Sequence, residues 1–289
     1  MKETSQAKRS ILAILAVIVG LFMIAVAPFL IQTSLERVVT ELQIVSAQKP
    51  AYASGIPLFS YAFPLYRGLI FIGGIALLLL ALPIYRGEEW TFPVALLASA
   101  FPSAGGMFMF MPYVSFVDGF PVPMAISIVG LIFFWSLILM RKADKWLKWG
   151  QFLALTFAGM LTTHAFIVGI GNLRTLLTRP EKPMYGGLGI WVLAWSQPIQ
   201  WICVILLFIA IYQIAARKFS GWWLALVSVT SLAAIDIPMQ IIRLTMTDST
   251  AWDYTYGLPV IIGLFFVLLY PKFKNVLIHE EECCCKEKE

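Results

Sequence analysis

Charge and histidine are both scarce in this sequence. Only 13% of the residues are charged, and the chain has two histidines and four cysteines. Soluble domains typically have about 25% charged residues and roughly 45–50% apolar ones. This chain is 60% apolar, and its mean hydropathy is +0.83. The composition excludes an ordinary soluble domain and predicts a protein that lies in a lipid bilayer.

Recognisable enzyme motifs are missing as well. There is no His-Glu-x-x-His pair, no P-loop and no dinucleotide-binding glycine pattern, and the pairs Gly73–Gly74 and Gly105–Gly106 fit close helix packing better than phosphate binding. Asp236 has no second carboxylate in a span that could complete an aspartyl dyad. The only histidines are His164 and His279, and His279 follows the last apolar run, so the two are poorly placed to hold a haem. No catalytic residue and no metal site is predicted, and the cofactor stays open.

The basic residues indicate topology and not a nucleic-acid partner. The net charge is +5 and the pI is near 9.0, but the basic residues lie in short loops between apolar runs. When alternate loops are compared, one side holds only seven of the 21 Lys and Arg residues, namely Arg37, Lys49, Arg67, Arg174, Arg179, Lys182 and Arg243. The excess on the other side predicts that both termini are cytoplasmic.

The apolar runs predict an all-α polytopic integral membrane helical bundle with about eight transmembrane helices. A helix needs about 20 residues to cross the ~30 Å of hydrocarbon. The predicted spans are 11–31, 68–84, 90–111, 122–140, 151–172, 188–213, 222–243 and 257–270. They form one domain over residues 1–275, followed by a flexible cytoplasmic tail over 276–289. We expect a multi-pass protein of the cell membrane.

The segment 33–67 between the first two spans has its own pattern. Thr33 and Glu36 form a capping box, and apolar residues then recur at helical spacing, which predicts an amphipathic helix on the outer membrane surface or over the bundle. Pro50, Pro57 and Pro64 follow among aromatic residues. Because proline disfavours regular structure and aromatic residues favour the membrane interface, 50–67 is predicted to be a loop.

Asp236, Gln240 and Arg243 are the most unusual residues of the seventh span. They stand at i, i+4 and i+7, so they share one face of a helix, and a lipid-facing surface does not tolerate such a face. At ~1.5 Å per residue, Asp236 lies roughly 10 Å below Arg243. His164 in span five and Gln197 in span six fall at a similar depth. With Gln200, these residues predict a polar cavity that opens toward the outside.

Two prolines lie beside these polar residues. Pro198 follows Gln197, and Pro238 comes two residues after Asp236. Each proline removes the usual helix partner of the carbonyl four residues before it, on Ala194 and Ala234. Carbonyls freed in this way coordinate ions and small substrates in many transporters.

Two functions from different classes fit the pattern best. The first is a permease-type carrier in which Asp236 and His164 bind a proton, a cation or an amine-bearing solute, with Gln197, Gln200 and Gln240 orienting it. The second is a membrane-anchor subunit of a larger complex, in which the same residues contact partner helices or a lipophilic quinone-like cofactor. A membrane enzyme is a third choice. The polar residues are also compatible with simple hydrogen bonding between helices.

Overall fold

The computed structural model of the chain describes residues 4–178, 187–246 and 253–278. About 90% of these residues are helical, and the described part contains no β-strand. The α-helices are α1 Gln6–Leu21, α2 Ala27–Gln48, α3 Gly55–Arg86, α4 Thr91–Phe116, α5 Val122–Met140, α6 Lys145–Thr178, α7 Leu188–Ala215, α8 Phe219–Met246, α9 Leu258–Leu269 and α10 Pro271–Leu277. The predicted all-α class is therefore confirmed.

Seven stretches of helix are long and apolar enough to cross a membrane. The eighth predicted span differs from the others, because α9 has only 12 residues and covers about 18 Å. After α9 the chain bends by 74° into α10. The structure has an eighth span only if α9 and α10 together are counted as one span. Since α10 extends to Leu277, helix also occupies the start of the region predicted as a flexible tail. The remainder of that tail, 279–289, lies outside the described residues.

The predicted boundary before residue 33 is wrong. The first helix runs without a break over Gln6–Gln48, with a π-helical turn at Phe22–Val26 joining α1 to α2. Thr33 is an interior helical residue and not a cap, because the residues before it already have helical geometry. The amphipathic pattern itself is confirmed, since Leu35, Val38 and Leu42 are buried. This part of the helix packs over α3, α4 and α5.

The loop predicted over 50–67 is also wrong for most of its length. Pro50–Tyr52 forms a short 3-10 helix, and α3 begins at Gly55. Pro57 lies in the first turn of α3, where its missing N–H is not needed. Pro64 lies inside the helix, where membrane helices tolerate proline because neighbouring groups satisfy the freed carbonyl.

Hydrogen bonds bring the basic loops to one end of the bundle, here called the basic end. Arg9 Nη1 donates to the Arg86 carbonyl at 3.0 Å. The Lys142 backbone N–H donates to Thr4 Oγ1 at 3.1 Å. Arg217 Nε donates to the Val276 carbonyl at 3.2 Å. Since cytoplasmic loops are enriched in Lys and Arg, we expect the basic end to face the cytoplasm.

Single cysteines introduced on either side of α5 test this orientation. In a variant without the four native cysteines, Phe120→Cys in the α4–α5 turn should react with a membrane-impermeant maleimide in intact cells. Lys145→Cys at the start of α6 should react only after permeabilisation. Both native side chains are exposed, so accessibility to the reagent is set by the membrane. The reverse labelling pattern would contradict the orientation.

Candidate functional site

Asp236 is enclosed at the junction of three helices. Its side chain is 0% exposed. His164 Nε2 on α6 lies 3.1 Å from Asp236 Oδ2, and Gln200 Nε2 on α7 donates to Asp236 Oδ1 at 3.0 Å. Two of the predicted site residues therefore meet Asp236 directly, one from each neighbouring helix.

The local sequence of α8 turns Asp236 inward. Leu232, Ile235 and Met239 are buried on the same side, whereas Ile237 and Ile241 are exposed. This division follows the 3.6-residue period of a helix with one face on protein and one on lipid. Because Asp236 lies on the buried face of α8, protein groups and not lipid surround its carboxyl group.

The position of His164 depends on a glycine at the start of α9. A Cβ atom added at Gly257 would overlap His164 Cδ2 and would lie 2.6 Å from His164 Nε2. The imidazole therefore rests directly on the backbone of residue 257 and is held between that backbone and Asp236. The histidine side chain is 12% exposed. Sequence reasoning missed Gly257 because the contact joins residues 93 positions apart in the chain.

A second group of polar atoms continues from Asp236 along the same helices. Asn172 Nδ2 donates to Ser196 Oγ at 3.2 Å and lies 3.6 Å from Met239 Sδ. Gln200 Nε2 lies 4.0 Å from the same sulfur. Asn172, Ser196 and Gln200 are all 0% exposed. We refer to His164, Asn172, Ser196, Gln200, Asp236 and Met239 together as the buried cluster.

Gln240 and Arg243 lie farther along α8 and contact a different segment. Gln240 Oε1 accepts a hydrogen bond of 3.2 Å from the backbone N–H of Tyr254. The Arg243 guanidinium carbon lies 5.4 Å from the centre of the Tyr254 ring. Within the described residues, the hydrogen-bond partners of Asp236 are His164 and Gln200, and Arg243 is not one of them. Gln240 and Arg243 hold the segment before α9 against α8.

Gln197 and the two prolines do not join the cluster. Gln197 is half-buried, and its side chain makes no hydrogen bond within the described part of the chain. α7 and α8 continue without a break through Pro198 and Pro238. Pro198 lies on an exposed face of α7, and the freed carbonyls belong to Ala194 and Ala234, which are exposed residues. Coordination of a ligand by these carbonyls stays a prediction.

A cavity of about 460 Å³ lies elsewhere, between α2 and the segment after α4. Glu36, Arg37, Glu41 and Asp118 contribute to its walls. Arg37 Nη1 also donates to Tyr113 Oη at 2.9 Å. Because Glu36, Arg37 and Asp118 are exposed, the cavity is best explained as a solvated surface between charged side chains. It shares no residue with the buried cluster.

The chemistry that the buried cluster offers is proton exchange between a carboxylate and an imidazole. A protonated His164 cancels the charge of Asp236, whereas loss of that proton leaves a carboxylate in low dielectric with neutral partners. Among the described residues, no three His, Cys, Asp or Glu side chains are grouped so that they could hold a metal ion. The cluster thus combines one carboxyl group, one imidazole and several neutral polar groups.

The chain matches no known family model, no curated protein and no solved structure. The site is therefore interpreted from its own geometry.

Proposed function

We propose that the chain is a permease-type carrier in which the His164–Asp236 pair exchanges a proton during transport of a small solute. The observation that carries this proposal is the 3.1 Å contact between an imidazole and a fully buried carboxylate. Ionisable side chains inside membrane helices are costly and commonly mark ion pathways and proton relays. The cell membrane is the proposed location.

The cost of burying a carboxylate favours this role over simple hydrogen bonding between helices. Hydrogen bonds between membrane helices contribute about 0.6 kcal/mol each on average. An aspartate at the centre of a membrane helix costs roughly 2.5–3.5 kcal/mol by insertion scales. Neutral Asn or Gln would join α6, α7 and α8 at a lower cost than Asp236. A carboxylate at this position is better explained by a need for its charge.

The enclosure of the cluster favours a carrier over a membrane-anchor subunit. A residue that binds a partner helix has to lie on the outer surface of the bundle. Asp236 and Gln200 instead face other helices of the same chain. The faces of α7 and α8 that remain exposed carry apolar residues such as Ile202 and Ile237, which suit lipid. The anchor function remains an outcome of the test below.

Proton movement in proteoliposomes tests the carrier. Purified protein would be reconstituted into vesicles that contain pyranine as the indicator of internal pH. Pools of inorganic cations, amines and amino acids would then be added to the vesicles. We expect at least one pool to change the internal pH, and His164→Gln to abolish that change, because glutamine takes up no proton. No change of internal pH with any pool, together with stoichiometric co-purification of other membrane proteins in mild detergent, would overturn the carrier and favour the anchor.

A matched pair of glycine variants tests whether the position of His164 matters. Gly257→Ala should displace the imidazole from Asp236, because the new Cβ overlaps the ring. The ring is the end of a flexible side chain, so we expect the protein to fold and its proton movement to fall sharply. Gly171→Ala is the control, since nothing lies within 4 Å of a Cβ at that position. Equal activity of the two variants in the pyranine measurement would contradict a role for the contact.

A further inference from the structure

Two amide oxygens in the buried cluster have no hydrogen-bond partner among the described residues. They are Gln200 Oε1 and Asn172 Oδ1, and both residues are 0% exposed. Buried acceptors without a partner cost free energy, and each such atom in a folded protein requires an explanation. The amide nitrogens of these side chains are used within the cluster. No group in the described part of the chain hydrogen-bonds to the two oxygens, so they are available to a ligand.

The two amide side chains are close together, because their nitrogens lie near the same atom. The nitrogens of Asn172 and Gln200 lie 3.6 and 4.0 Å from Met239 Sδ. Gln200 also donates to Asp236 at 3.0 Å. Side chains that carry two amide oxygens, a carboxylate and a thioether sulfur are thus neighbours between α6, α7 and α8. All four groups accept hydrogen bonds or donate electron pairs.

The charge of the site selects the class of ligand. When Asp236 is ionised and His164 is neutral, the site carries a single negative charge, which one positive charge balances. Divalent Ca²⁺ and Mg²⁺ ions prefer shells of six or more oxygens, commonly from several carboxylates and from water. We infer that Asp236, Gln200 and Asn172 bind a compact monovalent cation, an alkali-metal ion or a primary ammonium group, in exchange for the proton on His164. This inference rests on the proposed carrier function and names its substrate class.

The groups that face Asp236 determine which proton the cation replaces. His164 on α6 contacts it directly. Within the described ranges, the other titratable residues nearby are Cys203 on α7, whose thiol is directed at the Ser228 carbonyl, and Arg243 on α8 with Tyr254 beside it. Helix α9 carries no titratable residue. One carboxylate balances one positive charge, so the cation enters as the proton leaves His164 for solvent, and total charge is conserved.

Cation binding to the purified protein in detergent tests the inference without transport. Apparent Tm would be measured with chloride salts of Na⁺, K⁺, methylammonium and choline at constant ionic strength. We expect one compact cation to raise the Tm saturably relative to choline, which is too large. Its half-saturating concentration should rise by up to about tenfold for each unit of lower pH, because one proton competes with one cation. Equal Tm values in all four salts would overturn the inference.

Variants and proton release make the test specific to this site. Asn172→Leu should weaken cation binding by about tenfold or more, since it removes an oxygen that contacts the charge. Gln213→Leu is the control, because Gln213 Oε1 is also a buried acceptor with no partner among the residues described but lies 13 residues farther along α7 than Gln200. If Asn172→Leu does not fold, Asn172→Ser replaces it.

In the native protein, cation addition to a weakly buffered sample should release about one proton per ion bound. Binding without proton release would contradict the exchange.

The outcomes also separate this inference from the carrier proposal. Cation binding with proton release, but no proton movement in proteoliposomes, would overturn the carrier and leave the site. Proton movement driven by another solute, without binding of any of the compact cations, would overturn the cation site and leave the carrier.

Discussion

Asp236→Asn should abolish proton movement and cation binding while the protein still folds. Asparagine has the size of aspartate but no charge. Gln200 Nε2, which donates to Asp236 Oδ1 at 3.0 Å, can donate equally to the asparagine carbonyl. The new amide N–H can donate to Nε2 of a neutral His164. The geometry of the three helices is therefore preserved, and the charge that binds a proton or a cation is lost.

Two measurements on the same sample decide this prediction. Proton movement and cation binding are measured per folded molecule after size exclusion, and apparent Tm is measured in choline. We expect activity at the level of empty vesicles and a small change in Tm. A fall in Tm by many degrees with unchanged activity per folded molecule would show that Asp236 is structural, and would overturn both the carrier and the cation site.

Gly106→Ala should cause a large loss of stability. A Cβ at Gly106 would lie 2.5 Å from the Ser127 backbone nitrogen and 2.9 Å from the Pro123 carbonyl oxygen. Backbone atoms of α5 cannot move aside as a side-chain end can, so α4 and α5 have to separate. Overpacking of this kind typically costs 1–3 kcal/mol, occasionally more, and we expect a decrease in apparent Tm of roughly 2–4 °C for each kcal/mol.

Gly159→Ala is the matched control for this effect. Gly159 also lies inside a long helix, but nothing is within 4 Å of a Cβ at that position. Alanine favours a helix by about 1 kcal/mol over glycine, so the control should be neutral or slightly stabilising. Thermal unfolding of both variants in one detergent compares them directly. If Gly106→Ala is as stable as Gly159→Ala, α4 and α5 do not pack at the separation described here.

The helices and the inward face of α8 could be predicted from the sequence. Backbone polar groups in a membrane have to be satisfied within the segment, so long apolar runs have few alternatives to helix. The predicted span over 122–140 matches α5 at both ends. For the same reason, the spacing of Asp236 and Gln240 was enough to place both on a buried face, and both are buried.

Helix boundaries near proline and polar residues could not be predicted in the same way. Thr33 has the sequence of a cap and Pro64 that of a breaker, yet both lie inside helices. A cap forms only where the preceding residues leave the helix, and a proline breaks a helix only where no neighbour offsets the lost hydrogen bond. Both conditions depend on packing between helices. Local sequence does not contain them.

The sequence by itself determined that Asp236 is buried in protein and needs a partner, because lipid does not solvate a carboxylate. Only the tertiary structure decided which partner it has. Arg243 is near in sequence but lies beside Tyr254, whereas His164, 72 residues away, contacts the carboxylate. The physical reason is that residues on one helix keep a fixed separation along its axis, roughly 10 Å for seven residues. Residues on different helices come within hydrogen-bond distance only through the packing of α6, α7 and α8.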